Sequence, residues 1–303
     1  MKYDAVLIAG PTASGKSDAA LELAGYIGGA IVNADSMQVY REAPILTAQP
    51  SVEARAQVPH LLYGHVSARE VYSVGRYVED ARAALAEARA LNRVPVFTGG
   101  TGLYFSALTK GLADVPPIPP DVRETGRALL AEIGVAQLHA RLAARDPETA
   151  ATLRPSDPQR VLRAYEVFET TGRPLIQWQR MPVAPLLKDF RIAAFVLEPP
   201  RAGLRARIAV RFEKMLAAGA MDEARALQDL DSALPSARLL GLRPLQALAF
   251  GTLTQQQAVD AAVTATRQFA KRQLTWFRHR MAHYVWFDPY NSNIVTQYGN
   301  IIA

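Results

Sequence analysis

The segment that most restricts what this chain can fold into is Ala5-Val6-Leu7-Ile8-Ala9 followed at once by Gly10-Pro11-Thr12-Ala13-Ser14-Gly15-Lys16-Ser17. An apolar run stops in a glycine-framed loop with the spacing G-x-x-x-x-G-K-S, and the helical pattern Asp18-Ala19-Ala20-Leu21-Glu22-Leu23-Ala24 begins directly after it. Strand, loop and helix in that order are the context in which this spacing works as a phosphate cradle. Gly10 permits the sharp turn, Gly15 lets backbone N–H groups close around an anion, and the helix presents its positive N-terminal end to the same point. Lys16 meets the phosphate oxygens and Ser17 is placed to hold Mg²⁺ beside them, while Pro11, Thr12, Ala13 and Ser14 form the wall of the cradle. A chance match to a degenerate pattern would lack the flanking strand and helix. The cradle does not specify which phosphate it holds.

Gly28-Gly29 breaks the first helix before Ala30-Ile31-Val32-Asn33, giving a β-α-β start. Parallel strands joined by a helix need a right-handed crossover, and an open α/β sheet binds ligands beyond the carboxyl ends of its strands. Asp35-Ser36-Met37-Gln38-Val39-Tyr40-Arg41 lies at such an end. From position alone, Asp35 reads equally as a carboxylate facing the cradle's ligand and as a surface N-cap. Residues 43–73 read as irregular; His60 within them reads first as a plain loop histidine, with ligand and base as alternatives. After a helix from Gly75 to Leu91, the strand Arg93 to Thr98 runs into Gly99-Gly100-Thr101-Gly102-Leu103-Tyr104. Three glycines in four residues signal a backbone that turns tightly or approaches a ligand closely, with the Thr101 hydroxyl displayed between them.

Val115-Pro116-Pro117-Ile118-Pro119-Pro120 is a stiff linker into helices instead of the next strand. It sets off a helical insertion over 115–187, with helices over 122–134, 137–144 and 158–171, and divides an α/β core into 1–114 and 188–303. Phe190 to Leu197 returns to strand pattern, and a final long helix runs from Gln255 to about Tyr284. Arg267, Lys271 and Arg278 share one face of that helix with no acidic residue between them, which suits a phosphodiester backbone, although the usual reading of a single charge run is a solvated basic surface. Trp276 and Phe277 read as core packing.

The 303 residues suffice for a large core, and the absence of cysteine excludes disulfides, thiolate metal sites and a cysteine nucleophile. A net charge of +6 favours a polyanionic partner. With no leader pattern and no apolar stretch of about 20 residues, the expectation is a soluble cytoplasmic protein that engages no membrane and acts as a monomer.

Taken together, the cradle, Asp35 to Arg41, Gly99 to Tyr104, Asp157-Pro158-Gln159-Arg160-Val161-Leu162-Arg163-Ala164 and the helix Thr266 to Arg278 resemble the tRNA dimethylallyltransferases of bacteria, also called tRNA isopentenyltransferases. The match runs through most of the chain. The resemblance implies an α/β fold, a P-loop-type parallel sheet core flanked by helices, with a small all-helical domain inserted. It implies transfer of a dimethylallyl group from dimethylallyl diphosphate, with Mg²⁺, to N6 of the adenosine 3′-adjacent to the anticodon of tRNA. Asp35 then looks like the general base, with Thr101 near the reacting groups, Lys16 and Ser17 serving diphosphate and Mg²⁺, and Arg207 or Arg211 as the diphosphate arginine. The same resemblance points to tRNA contacts at Asp35, Ser36, Met37, Gln38 and Thr101, at Arg123, at Gln159, Arg160, Val161, Leu162 and Arg163, and at Arg238 and Arg243; Lys271 joins them from the basic helix face. The anticodon stem-loop would be gripped by these residues and the adenine extruded into the site. The chain departs from the family pattern at Leu46-Thr47-Ala48-Gln49-Pro50, where the family has Gly-Thr-Ala-Lys-Pro, at Leu61 in place of a second histidine, and at Leu242 in place of tyrosine. The competing readings are a P-loop small-molecule kinase, an isopentenyltransferase acting on a free adenine nucleotide, and an RNA-binding protein that uses nucleotide as a switch.

Overall fold

A computed structural model describes residues 2–181 and 183–302. Its strands are β1 (Ala5–Ala9), β2 (Gly29–Asn33), β3 (His60–Leu61), β4 (Val94–Gly99), β5 (Ile192–Leu197) and β6 (Val285–Phe287). They form one sheet in the order β3-β2-β4-β1-β5-β6, with every neighbouring pair parallel. The helices are α1 (Lys16–Ile27), α2 (Val52–Gln57), α3 (Val74–Ala90), α4 (Gly102–Lys110), α5 (Pro120–Arg145), α6 (Pro147–Ala150), α7 (Pro158–Thr171), α8 (Leu175–Arg180), α9 (Arg201–Ala217), α10 (Ala220–Ala226), α11 (Leu242–Ala249), α12 (Gln255–Arg280) and α13 (Ile294–Ile302).

β1 is fully buried because it lies inside the sheet and is covered on both faces. Its alternating side chains feed two cores. Val6 and Ile8 join Ala20, Leu23 and Ala24 of α1 with Ile294 and Tyr298 of α13, while Leu7 and Ala9 join Phe97, Tyr104 and Phe105 with Ile208, Leu245 and Phe277 on the other side. β2 and β4 pair in register from Gly29↔Val94 to Asn33↔Thr98, and β1 and β4 from Val6↔Val96 to Ala9↔Gly99. The carboxyl ends of β1, β2 and β4 therefore finish level, and the loops 10–15, 34–36 and 99–101 emerge side by side.

The described residues of Lys110–Pro185 form a second compact unit and the rest of the described chain forms the first; the sequence reading sets these edges at 115 and 187. Within the smaller unit α5 packs on α7, with Leu138, Leu142, Val161, Ala164 and Val167 buried. α5 contains a break at Gly134 (φ +74°), separating the two helical stretches read from the sequence.

Three features correct the sequence reading. Residues 43–73 contain α2 and the edge strand β3, whose His60 and Leu61 pair with Ile31 and Val32. The last long helix ends at Arg280, not near Tyr284, and Val285–Phe287 becomes a strand against Phe195–Leu197. Residues 294–302 add a helix with no counterpart in that reading. No helix of the described residues is long and apolar enough to cross a membrane.

Candidate active site

The cradle is built by close approach. A Cβ on Gly10 would lie 2.7 Å from Ser14 Oγ, and Gly15 caps α1 at φ +89°, a conformation that side chains resist. Ala13 also takes a positive φ, +64°. The loop closes on itself through Ser14 N–H to the Pro11 carbonyl (3.1 Å) and on the neighbouring strand end through Gly10 N–H to the Gly99 carbonyl (3.3 Å). Ser14 Oγ and Thr98 Oγ1 are buried at its floor without a hydrogen-bond partner in the protein, so the loop is shaped for a polar ligand that the chain itself does not supply.

Three cations meet it. Lys16 is 8 % exposed; burial holds its pKa down to about 8, the Asp35 carboxylate pulling it up and Arg211 pushing it further down. Arg211 donates to Thr12 Oγ1 at 2.6 Å, and its own pKa is lowered by burial and by Arg207 while Asp35 raises it. The Arg207 guanidinium sits 3.4 Å from where a Cβ of Gly15 would be and lies over the Tyr290 ring. The sequence left Arg207 and Arg211 as alternatives. One turn apart on α9, both reach the cradle.

Asp35 faces the same space. Its Oδ1 accepts from Met37 N–H at 3.0 Å and its backbone N–H donates to Asn33 Oδ1 at 2.8 Å, so a local turn fixes the carboxylate and leaves Oδ2 directed past Gly100. The loop after β4 is stacked on this turn. Ala34 N–H donates to the Thr98 carbonyl (2.7 Å) and Thr101 N–H to the Ala34 carbonyl (3.2 Å), and a Cβ on Gly99 would collide with the Ala34 carbonyl. Thr101 Oγ1 accepts from Ser36 N–H at 2.8 Å and donates to Ser36 Oγ at 3.1 Å.

A cavity of about 380 Å³ joins these parts, lined by Thr12 to Asp18, Asp35, Gln38, Thr98, Arg207 and Arg211, with His60 and Tyr63 at one wall. A smaller recess of about 40 Å³ opens beside it, sharing Thr12, Asp35, Thr47 and Arg211, its wall completed by Thr266 and by apolar side chains such as Met37, Ile208, Phe212 and Phe269. His60 Nδ1 is 2.9 Å from the Val58 carbonyl, and burial lowers its pKa.

The remaining sequence candidates are placed as follows. Gln38 is buried and spends its amide on the Thr47 and Ala48 carbonyls (3.0 and 2.7 Å). Arg238, Arg243 and Lys271 are exposed and do not line the cavity. Arg278 is not part of an unopposed basic row, because Glu198 beyond β5 pairs with it. In the inserted unit, Gln159 and Arg160 are exposed at the start of α7, Arg160 beside Asp157 at 3.4 Å, whereas the Val161 side chain is core and Leu162 packs toward Gly126. Arg163 and Arg123 are half-buried around Glu166, whose pKa is raised by burial and held back by Arg163, Arg123 and Arg127. Of the departures, Gln49 donates to the Tyr40 carbonyl at 2.8 Å, Leu61 lies on β3, and Leu242 is core. Sequence reasoning missed Gln273 of α12, whose amide joins two of these loops; a glutamine in a helix carries no sign of its partners.

No group of three or more His, Cys, Asp or Glu among the described residues could hold a metal ion. The exposed Ser17 hydroxyl at the first turn of α1 offers one oxygen ligand beside the cradle. That suits Mg²⁺, which is held by few protein oxygens together with substrate phosphates and water.

The family model described as IPP transferase matches residues 38–280. A tRNA dimethylallyltransferase of Nitrobacter hamburgensis is 51% identical over 288 residues, covering 94% of this chain and 91% of the relative. Among solved structures, a tRNA isopentenylpyrophosphate transferase of Bacillus halodurans superposes with a TM-score of 0.67 at 33% identity, covering 94% of this chain and 89% of the other. A eukaryotic dimethylallyltransferase acting on tRNA gives 0.73 at 25% identity, over 90% and 69% of the two chains. With the cradle, the turn of Asp35 and the parallel sheet behind them, this likeness over nearly the whole length means that the chain belongs to the IPP transferase family.

Proposed function

We propose that the protein transfers the dimethylallyl group of dimethylallyl diphosphate to N6 of the adenosine 3′-adjacent to the anticodon of tRNA, releasing diphosphate. The observation that carries this reading is the single cavity in which the cations Lys16, Arg207 and Arg211 and the carboxylate of Asp35 are brought together. The allylic C–O bond breaks with its electron pair leaving on diphosphate, and the N6 lone pair forms the new C–N bond. Asp35 takes the proton that N6 loses. The barrier lies in separating an allylic cation from a multiply charged anion, so cations and N–H groups fixed in advance around the departing oxygens contribute most. Lys16, Arg211 and the loop N–H groups do this, and because Lys16 is buried its charge acts more strongly than it would at the surface. Bound Mg²⁺ would neutralise further diphosphate charge, with Ser17 as its protein ligand.

Adenine stacked in an anticodon loop cannot reach a recessed donor, so the base is extruded toward Asp35. The tRNA backbone is assigned to Arg123, Arg160 and Arg163 of the inserted unit and to Arg238, Arg243 and Lys271 of the sheet unit, with Asp35 to Gln38 and Thr101 near the extruded base. A single copy of the chain, acting in the cytoplasm, carries all these groups. Competition between ATP and dimethylallyl diphosphate, with products identified by mass, tests the donor: prenylated adenosine with ATP unspent is expected. Stoichiometric ATP consumption with a phosphorylated acceptor would install the kinase reading instead.

A further inference from the structure

Gln273 is 6 % exposed and lies on the side of α12 that buries Thr266, Ala270, Leu274 and Phe277. A primary amide in such surroundings costs stability unless its groups are satisfied. Both ends are used, and neither partner belongs to a helix. Oε1 accepts from Thr12 N–H at 2.9 Å and Nε2 donates to the Gly100 carbonyl at 2.8 Å. Turning the amide over would set N–H against N–H and C=O against C=O, so the two loops fix its orientation.

Each partner holds a different part of the site. Thr12 belongs to the cradle and its hydroxyl accepts from Arg211. Gly100 precedes Thr101 in the loop stacked on Asp35-Ser36. A Cβ at position 100 would lie 2.1 Å from Gln273 Nε2 and 3.1 Å from Asp35 Oδ2; the glycine clears a space that the amide and the carboxylate share. We infer that Gln273 is a positioning residue that fixes the anion cradle against the Asp35–Thr101 loop, so that the donor and the proton acceptor keep one mutual register. Gln273 lines neither cavity itself and reaches the site through its hydrogen bonds to Thr12 and Gly100. This rests on the proposed transfer reaction, in which a small shift between two correctly formed halves costs rate more than binding.

Gln273→Met keeps the length of the side chain and deletes both hydrogen bonds; Gln273→Glu keeps an acceptor for Thr12 and turns a second oxygen toward the Gly100 carbonyl. For parent and variants we would measure single-turnover transfer per folded molecule, pyrophosphate affinity by calorimetry, and amide hydrogen exchange of peptides spanning 10–15 and 99–104. In both variants transfer should fall roughly 30- to 100-fold and exchange should quicken in both loops, with pyrophosphate affinity of Gln273→Met within about threefold of the parent. A parent-like rate per folded molecule, or exchange that stays slow in both loops, overturns the inference and leaves Gln273 a satisfied core amide. Should Gln273→Met not fold, the Glu variant decides on the same outcomes. If the parent itself transfers nothing, the reaction assignment fails, and the exchange data alone judge whether the amide joins the loops.

Discussion

In the sheet unit, Lys16 is buried, Arg211 donates to a threonine hydroxyl, and Asp35 is fixed by its own turn; in the inserted helical unit, Arg160 and Arg127 are exposed, while Arg123 and Arg163 are half-buried near Glu166. In the first region the candidate site groups are held by backbone and side-chain contacts at the strand ends. Glycines at 10, 99 and 100 let backbones and side chains come closer than any Cβ would allow. The second offers cationic side chains on the surface of packed helices. A group held by several contacts, in a place water cannot repair, has few substitutes, whereas an exposed arginine is one of several that can meet a phosphate. The two regions should therefore fail differently.

The largest effect belongs to Asp35→Asn, which keeps the shape of the turn and removes the proton acceptor. Single-turnover transfer should drop by about 10² to 10⁴, while filter binding finds tRNA affinity nearly unchanged. A variant that transfers at the parent rate would place the base elsewhere and erase the contrast at its strongest point.

Gly100→Ala tests whether close approach itself matters. The added methyl would meet Gln273 Nε2 and crowd Asp35 Oδ2, so transfer should fall roughly 10²-fold with tRNA binding retained. Parent-like transfer would show that the loops tolerate more play than their packing implies.

Lys16 sharpens the comparison through pH. Its pKa is about 8 in the folded protein against an ordinary value of 10.5, so between these limits the unfolded chain binds the proton and the folded chain does not, and stability rises with pH. Below pH 8 the full cost of the buried charge is present. Lys16→Met should thus be more stable than the parent at pH 7, by on the order of 2 to 3 kcal/mol, with the difference vanishing toward pH 10.5. The same variant should lose donor affinity, and in the parent pyrophosphate affinity should begin to weaken above pH 8. Denaturant melts across pH and calorimetry check both; a pH-independent stability difference would mean that Lys16 is not buried in its charged form.

The smallest effects belong to the inserted unit and the outer face of α12. Arg160→Ala or Lys271→Ala should each weaken tRNA binding a few-fold and reduce the slope of log affinity against log salt by about 0.7 to 0.9 if one phosphate is met, with donor KM unchanged. An unaltered slope returns that residue to solvated surface. A loss as large as that from Asp35→Asn would mean that the two regions do not differ in kind.

What could be read from the sequence follows the same division. The cradle and the glycine run at 99–102 were legible because local spacing states the conformation: a tight loop between strand and helix, and a backbone in close approach to its neighbours. Long helices such as α3 and α7 were legible at nearly their full length, whereas their caps, Ser73 and Asp157, each accepting from a backbone N–H in the first turn, come from the structure. The edge strands β3 and β6 were not legible; two or three residues carry no periodicity, and their pairing with Ile31 or Phe195 depends on chain far away. Gln273 is the same case within the site, since its partners lie 261 and 173 residues distant. Arg278 looked unopposed because Glu198 reaches it from another element. Arg207 and Arg211 could not be separated by spacing because a four-residue step puts both on one helix face.

The central claim, that this cavity joins an allylic diphosphate to an adenine amine in tRNA, is tested most directly by incubating the protein with Mg²⁺ and dimethylallyl diphosphate labelled in the allyl group, with tRNA and AMP supplied as separate acceptors, and analysing the digested nucleosides by mass. The account predicts label on N6 of one adenosine, the one 3′-adjacent to the anticodon, with diphosphate released in equal amount and AMP left unmodified. Label remaining in the donor with both acceptors, or passing to AMP in preference to tRNA, would contradict it.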